Sequence, residues 1–523
     1  MTKLPKITAT IHLSLVAAIA AFLFFLPGVR VVRDLRDPAL AGPGVPERAR
    51  AMHRELSPRL EVWARERVEH ARGADTALLD VPSTEWPLFT AVFYLMATEQ
   101  LHDDWVANGR QGDAPMRWAR GAVDASRDLL LDPSHHSWVR RHWGDDYLHE
   151  ENVFFRSLLI AGLTSHAKLT GDVSPVLRDQ VETLAADLDA SALGLLHDYP
   201  GECYPIDVLA AVGLLRRADA VLDTDHSAFV ARELRAFVGP REDALGLVPY
   251  RVSLPDAEIV QPGRGVGTSW TLVFAPEVYP EEAARWYDAH EAHFWQERFW
   301  AHGFREFAAG GELADAYGEW TWEVDAGPIL GGFGTASSAF GLGAARANGR
   351  FDHAYTLASE MVATSWPLPD GTHLFPRLIS SAADAPLLGE VAIAYFLAVP
   401  PAPGVTVVRG GTLSGLVWIS LAIYFGVSLV VFLGVGLRLR EIWRPGFAPA
   451  APAVQLGLQV GLGVAGVASL FAGWILVGAI LLLVGALLPR ARARPTDPSP
   501  ARAHATVAPR PLARATSGGR RRP

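Results

Sequence analysis

Uncharged apolar runs frame this chain at both ends, and they constrain its fold more than any motif between them. From Ile7 to Val29 there is no charged residue, and a run of this length reaches across a hydrocarbon core about 30 Å thick. A cleaved signal peptide is the competing reading. The only small-x-small site, Ala39-Leu40-Ala41, lies beyond Arg30, Arg33, Asp34, Arg36 and Asp37, too far from the apolar run for ordinary cleavage. The expectation is an uncleaved anchor at 7–29. A second run, from Gly410 to Leu437, predicts a span at 411–437, with Arg438, Arg440 and Arg444 behind it. From Phe447 to Pro489 the chain is again uncharged, long enough for two shorter spans, 453–470 and 473–489. Four spans put Lys3, Lys6, the arginines after Leu437 and the basic tail on one side. The positive-inside bias makes that side cytoplasmic and leaves the large middle domain, 45–400, outside.

Half of the 523 residues are hydrophobic and a fifth are charged, as spans added to a folded body require. The net charge of −9 hides an asymmetry, because the tail 490–523 holds nine arginines and one aspartate. The tail lacks hydrophobic periodicity and is expected to be disordered and cytoplasmic. The body before it is acidic, which excludes a basic nucleic-acid face. A single cysteine, Cys203, excludes intrachain disulfides and cysteine-rich zinc sites.

Between the apolar ends the recurring period is helical. Stretches such as Glu47–Ala71, Trp86–Asp103, Pro115–Leu131, Glu151–Thr170, Pro175–Asp189, Pro205–Leu222, Pro280–Trp300 and Phe351–Trp366 start on proline or a capping residue, or stop at glycine or asparagine. Strand patterns are scarce, and Leu247–Val252 is the best of them. Many helices of similar length joined by Gly/Pro-rich loops predict a mainly α fold, an α/α toroid of the (α/α)6 barrel type. A helical bundle or solenoid would give a similar pattern, although no fixed-period repeat is present.

A toroid gathers its chemistry at one mouth, so polar and aromatic loop residues are the candidates. The densest group runs from His197 to Asp207. There Tyr199, Glu202, Cys203 and Tyr204 precede a helix that Pro205 opens, and the helix dipole favours Asp207 in its first turn. The same terminus is expected to lower the Cys203 thiol pKa, although most free cysteines are inert and buried. A second group, Glu319 to Pro328, sets three carboxylates, Asp325 among them, between two tryptophans. It reads either as a site with a raised-pKa acid or as a capped helix start. A third, Ser83-Thr84-Glu85-Trp86-Pro87, reads as a helix-start loop presenting Glu85 and Trp86. A fourth is Thr268-Ser269-Trp270. Sixteen tryptophans offer aromatic walls for a sugar or a hydrocarbon, or ordinary packing. Neither Gly263-x-Gly265-x-Gly267 nor the glycines after Pro328 form a phosphate loop. The histidines lack metal-ligand spacing, so no metal and no cofactor is expected.

The stretch from Glu150 through Val238 resembles the core of the linalool dehydratase/isomerase family. It carries Glu151-Asn152-Val153 at a helix start, the Leu169-Thr170-Gly171 stop, the Cys203 loop and Thr224-Asp225-His226. Gly267-Thr268-Ser269-Trp270, Asp325-Ala326-Gly327 and Leu387-Leu388-Gly389-Glu390 fit the same layout. The resemblance is one of layout and covers some 250 residues. It implies an α/α barrel and metal-independent acid/base dehydration and isomerisation of a small hydrophobic alcohol. It also implies two active-site cysteines. Cys203 falls at the second, whereas Gly194 stands at the first and Leu158 where a histidine is expected. Three functions therefore compete. One is a lyase or isomerase with Cys203 assisted by Asp207, Glu202 or Asp325, and with Tyr204, Tyr199, Trp86 and Trp270 lining the pocket. Another is a carbohydrate-active enzyme using Glu85 or Asp207 with Asp325. The third is a non-catalytic membrane protein that binds a ligand or partner.

Overall fold

Proline, glycine and polar caps punctuate the chain where the sequence places them. Ser174 accepts from the Val176 N–H and Pro175 opens a helix, Pro205 opens the next, and Gly171, in the left-handed region, closes the one before. The computed structural model describes residues 4–74, 80–381, 386–444, 458, 460–466, 469 and 475–487. Half of the expected span 453–470 falls outside the described residues, and the tail 490–523 wholly so.

The described chain is mainly helical. Its helices are α1 (Leu4–Ala20), α2 (Leu26–Asp34), α3 (Glu47–Glu69), α4 (Asp80–Ala107), α5 (Met116–Leu131), α6 (Ser137–Trp143), α7 (Val153–Thr170), α8 (Pro175–Ala190), α9 (Pro205–Leu222) and α10 (Ser227–Glu233). There follow α11 (Gly265–Val278), α12 (Pro280–Phe294), α13 (Glu312–Tyr317), α14 (Thr335–Ala347), α15 (Phe351–Thr364), α16 (Leu374–Ser381), α17 (Leu388–Ala398), α18 (Gly415–Ile442) and α19 (Ile475–Leu487). Short antiparallel strands interrupt them. They are β1 (Arg251–Ser253) with β2 (Glu258–Gln261), β3 (Trp295–Glu297) with β4 (His302–Phe304), and the sheet β5 (Trp320–Glu323), β6 (Gly327–Leu330), β7 (Phe333–Gly334).

Residues Ala21–Leu429 form one compact unit, and the terminal stretches Met1–Ala20 and Val430–Pro523 form a second. Within the larger unit α4 packs on α7, α7 on α9, α9 on α11, α11 on α14, α14 on α17 and α17 on α4, so the contacts return to their start. Six more helices pack against these: α5 against α4 and α7, α8 against α7 and α9, α10 against α9, α12 against α11, α15 against α14, and α3 against α17. The two sets differ in sequence as this layering demands. Helix α7 buries every residue from Val153 to Ala167, whereas α5 buries only the stripe Ala119, Ala122, Val123, Ala125, Ser126, Leu129, Leu130.

Among the described residues, two helices are long and apolar enough to cross a membrane, Ala9–Asp34 and Gly415–Ile442. The first joins α1 to α2 through a π-helical turn, Ala21–Phe25. The second begins later than position 411, because Thr412 is held in loop conformation by its exchange of hydrogen bonds with Thr356 Oγ1. Gly28 permits close approach of these helices, since a Cβ there would stand 2.8 Å from Tyr424 Cβ.

Three local expectations are corrected. Ser83 to Pro87 lie inside α4 and not in a loop, with Pro87 an internal proline of that helix. Trp270 likewise lies on α11. Glu319 to Pro328 form a β-hairpin, with Trp320 paired to Leu330 and Glu323 to Gly327, because Gly327 at φ +66° makes the turn a helix start would not need.

Candidate functional site

The starts of α4, α7, α9, α11 and α14 lie near one another, and buried acids tie them together. Asp198, in the loop before α9, accepts from the Phe154 N–H through one oxygen and from the Tyr204 N–H through the other, each at 2.9 Å. One carboxylate thereby caps both α7 and α9. Glu306 does the same for α11, accepting from Val266 N–H at 3.1 Å, from Arg264 Nε at 2.6 Å and from the Ser337 hydroxyl of α14.

Around these caps stand three further carboxyls. Glu85 is buried on the second turn of α4 and accepts from the Tyr199 hydroxyl at 3.4 Å. Asp207 occupies the first turn of α9. Asp325 lies just past β5, accepts from the Tyr250 hydroxyl at 2.5 Å and stands 3.9 Å from Arg264 Nη1. Arg264 is committed elsewhere, to Glu306 and to Glu323 at 2.7 Å, with its guanidinium over the Tyr250 ring. The mouth therefore holds more acids than cations to neutralise them.

Burial first, and that imbalance second, set the protonation states. Desolvation raises Glu85 well above the carboxylate range, and the charges of Asp325 and Asp207 add to it. Desolvation, then the charge of Asp325, pushes Asp207 up to about 8, against the opposing effect of the Trp270 indole N–H. Asp325 is raised by desolvation and by Glu323, opposed by Tyr250 and Arg264. Its side chain remains 41% exposed, so it is the carboxyl through which the cluster reaches water.

Cys203 is corrected in this setting. Its thiol is fully buried, and its backbone carbonyl accepts from Val252 N–H at 3.0 Å. Desolvation, then the charges of Asp198, Glu151 and Asp207, push the thiol pKa up and not down. A helix terminus is a small effect beside burial among carboxylates. Glu202 sits at the surface, accepting from Tyr204 Oη at 2.6 Å and facing Arg251 at 3.7 Å. Trp86 follows Glu85 on α4, partly exposed. Gly194 adopts φ +69°, where an L side chain is strained, and a Cβ there would displace the Glu233 carboxylate. Leu158 is a buried core residue of α7.

Behind the carboxyls the wall is aromatic. Trp270 packs edge-on against Phe340 at 5.4 Å and Phe89 at 6.3 Å, and Phe93 stacks on Tyr395 at 5.4 Å. Sequence reasoning missed Tyr250, Arg264, Phe89 and Phe340. Tyr250 lies in the Leu247–Val252 alternation and Arg264 inside the Gly263-x-Gly265 pattern, so their positions were flagged without their roles. A cleft of about 470 Å³ bordered by Arg216, Val230, Tyr279 and Glu282 lies at the other ends of α9 and α11 and holds none of the candidate residues. Among the described residues no three His, Cys, Asp or Glu side chains converge as metal ligands. Set against known proteins, the chain matches no family model and no curated protein.

Proposed function

We propose that residues 45–400 form an α/α toroid whose mouth performs metal-independent acid/base chemistry on a small, partly apolar alcohol, as a lyase or isomerase. The observation that carries this reading is the trio Glu85, Asp207 and Asp325, whose pKa values are all raised at the common end of the inner helices. Catalytic acids and bases need shifted pKa values, so perturbed acids gathered in one place support a catalytic site. Asp207, protonated at neutral pH, donates its proton to the substrate hydroxyl. The C–O bond breaks and water leaves with that proton. Asp325, set between Tyr250 and Arg264, takes a proton from the adjacent carbon to complete the double bond, or a returning water attacks the allylic cation at its other end and gives its extra proton back to the Asp207 carboxylate. The proton gained by Asp325 returns to Asp207 through solvent at the exposed edge of the mouth. Tyr199 and Tyr250 orient the acids, and Trp270 with Phe340 and Phe89 faces the hydrocarbon part. Cys203 packs.

We further propose that four spans anchor this domain in a cell membrane with both termini cytoplasmic and the toroid outside. The apolar helices Ala9–Asp34 and Gly415–Ile442 and the positive-inside bias support this topology.

A second reading, a carbohydrate-active enzyme, draws on the same carboxyls and on Trp320 and Trp322, which lie exposed on β5 beside Asp325. Full-length protein in lipid nanodiscs, incubated with acyclic allylic alcohols and separately with aryl glycosides, separates the two. Water loss or allylic shift that survives Cys203→Ser but not Asp207→Asn or Asp325→Asn supports the first. Glycoside cleavage alone would overturn it, as would the absence of turnover on every alcohol.

A further inference from the structure

Resting on the reading of the mouth as an acid/base site, we propose that its rim is embedded in the surface of the bilayer, so that the substrate is lipid-dissolved and enters from the membrane. Two separate contacts set the depth of the rim. The first is Trp366, whose indole N–H donates to Leu23 O at 2.7 Å and whose ring lies 4.5 Å from Tyr424 and 5.4 Å from Phe24. Leu23 precedes Arg30 by seven residues on one helical run, roughly 10 Å along the axis. Arg30 and Arg33 end the apolar stretch and belong at headgroup level, so Trp366 lies well inside the hydrocarbon boundary. Trp366 also holds φ +55°, a conformation that a bulky residue keeps only where the surroundings enforce it.

Phe375 packs on Trp366 at 5.9 Å and carries α16 to the same depth. On that helix Phe375, Leu378 and Ile379 share one face, and all three are exposed while Ser380 is buried. A helix that turns its apolar face outward suits an interfacial position, where such faces sink about 5–10 Å.

The second contact is the Phe299-Trp300 turn, which touches the start of the other membrane-crossing helix. A Cβ on Gly415 would stand 2.4 Å from Phe299 O. The Phe299 side chain is 90% exposed. Trp300 packs on Phe333 at 5.2 Å, which brings the β5–β7 sheet to the same level. Trp320 and Trp322, 70% and 59% exposed, share a face of β5. That strand is only about 13 Å long, and Asp325 follows its far end. The carboxyl mouth thus lies within one short strand of the point where a span begins. Exposed aromatics at the ends of spans are what an interface belt consists of, and in water so many exposed apolar side chains would promote aggregation.

The test is a depth measurement on the full chain in vesicles of equal parts zwitterionic and anionic phospholipid. Spin labels go at Leu378→Cys and Phe299→Cys in a Cys203→Ser background, with Asp145→Cys, a side chain 91% exposed, as the aqueous control. Collision with oxygen relative to a water-soluble nickel chelate is expected to be several-fold higher at 299 and 378 than at 145. Ratios equal to that at 145 would overturn the proposal. So would labels shielded from both reagents that cross-link to a second copy. The readout needs no turnover. Inactive protein with lipid-embedded labels would refute only the catalytic reading, and active protein with aqueous labels would refute only the embedded rim.

Discussion

Helix α4 carries two buried glutamates, Glu85 near its start and Glu99 about 21 Å further on, and their surroundings differ completely. Glu99 accepts from Ser165 at 2.6 Å, Lys168 at 3.0 Å and Arg217 at 3.0 Å. Desolvation pushes it up, but Arg217, Lys168 and Ser165 overcome that and draw it down to about 2. Glu85 has one long hydrogen bond and two acidic neighbours, and it is pushed the other way. Burial is common to both, so the partners decide. The Glu99 end is a satisfied ion cluster that holds helices together, whereas Glu85, with no cation beside it, is held towards its neutral form.

Breaking the mouth has the largest expected effect. Asp207→Asn should lower turnover by about 10²–10⁴-fold, the usual worth of a general acid, without lowering the melting temperature, since the amide removes a repelled carboxyl. Breaking the other end should do the reverse. Arg217→Met leaves Glu99 buried with fewer cations and should cost roughly 3–5 kcal/mol of stability, read from denaturant unfolding, while Glu85→Gln costs little.

The pH dependence sharpens the contrast. Glu99 is depressed from 4.5 to about 2, so its contribution is full above pH 4.5 and is lost as pH falls towards 2. Asp207 is raised from 3.8 to about 8. An acid that holds its proton in the fold favours folding most below 3.8, and that contribution is lost as pH rises to about 8. Urea midpoints should therefore fall between those limits in the wild type, and the part due to Asp207 should vanish in Asp207→Asn. The smallest effect belongs to Cys203→Ser, with turnover kept and about 1 kcal/mol of stability lost to a buried hydroxyl, checked by chemical denaturation.

Much of the helical framework was legible. Pro205–Leu222 has the bounds the sequence suggests, because proline and a short loop leave no other start. Helix α11 was not read as one, since Gly265, Gly267 and an internal Pro276 disguise a segment whose stability comes from burial on all sides. The β5–β7 sheet was missed because short strands depend on pairing partners and carry little periodicity of their own. Of the site, Asp207, Asp325, Glu85, Tyr199 and Trp270 could be picked as loop or cap residues. Tyr250 and Arg264 could not, because their roles exist only once β1 and the start of α11 are brought against the β5 hairpin. The Cys203 expectation failed on magnitude, with a local dipole weighed and a desolvated, acid-lined recess unseen.

The most direct test is infrared difference spectroscopy of the full chain in lipid nanodiscs, following the protonated-carboxyl C=O band through the pH range. The expected result is a band present at neutral pH that disappears with a midpoint near 8 and is missing in Asp207→Asn. A wild-type spectrum without that band at neutral pH, or one that Asp207→Asn leaves unchanged, would contradict a mouth poised to donate protons.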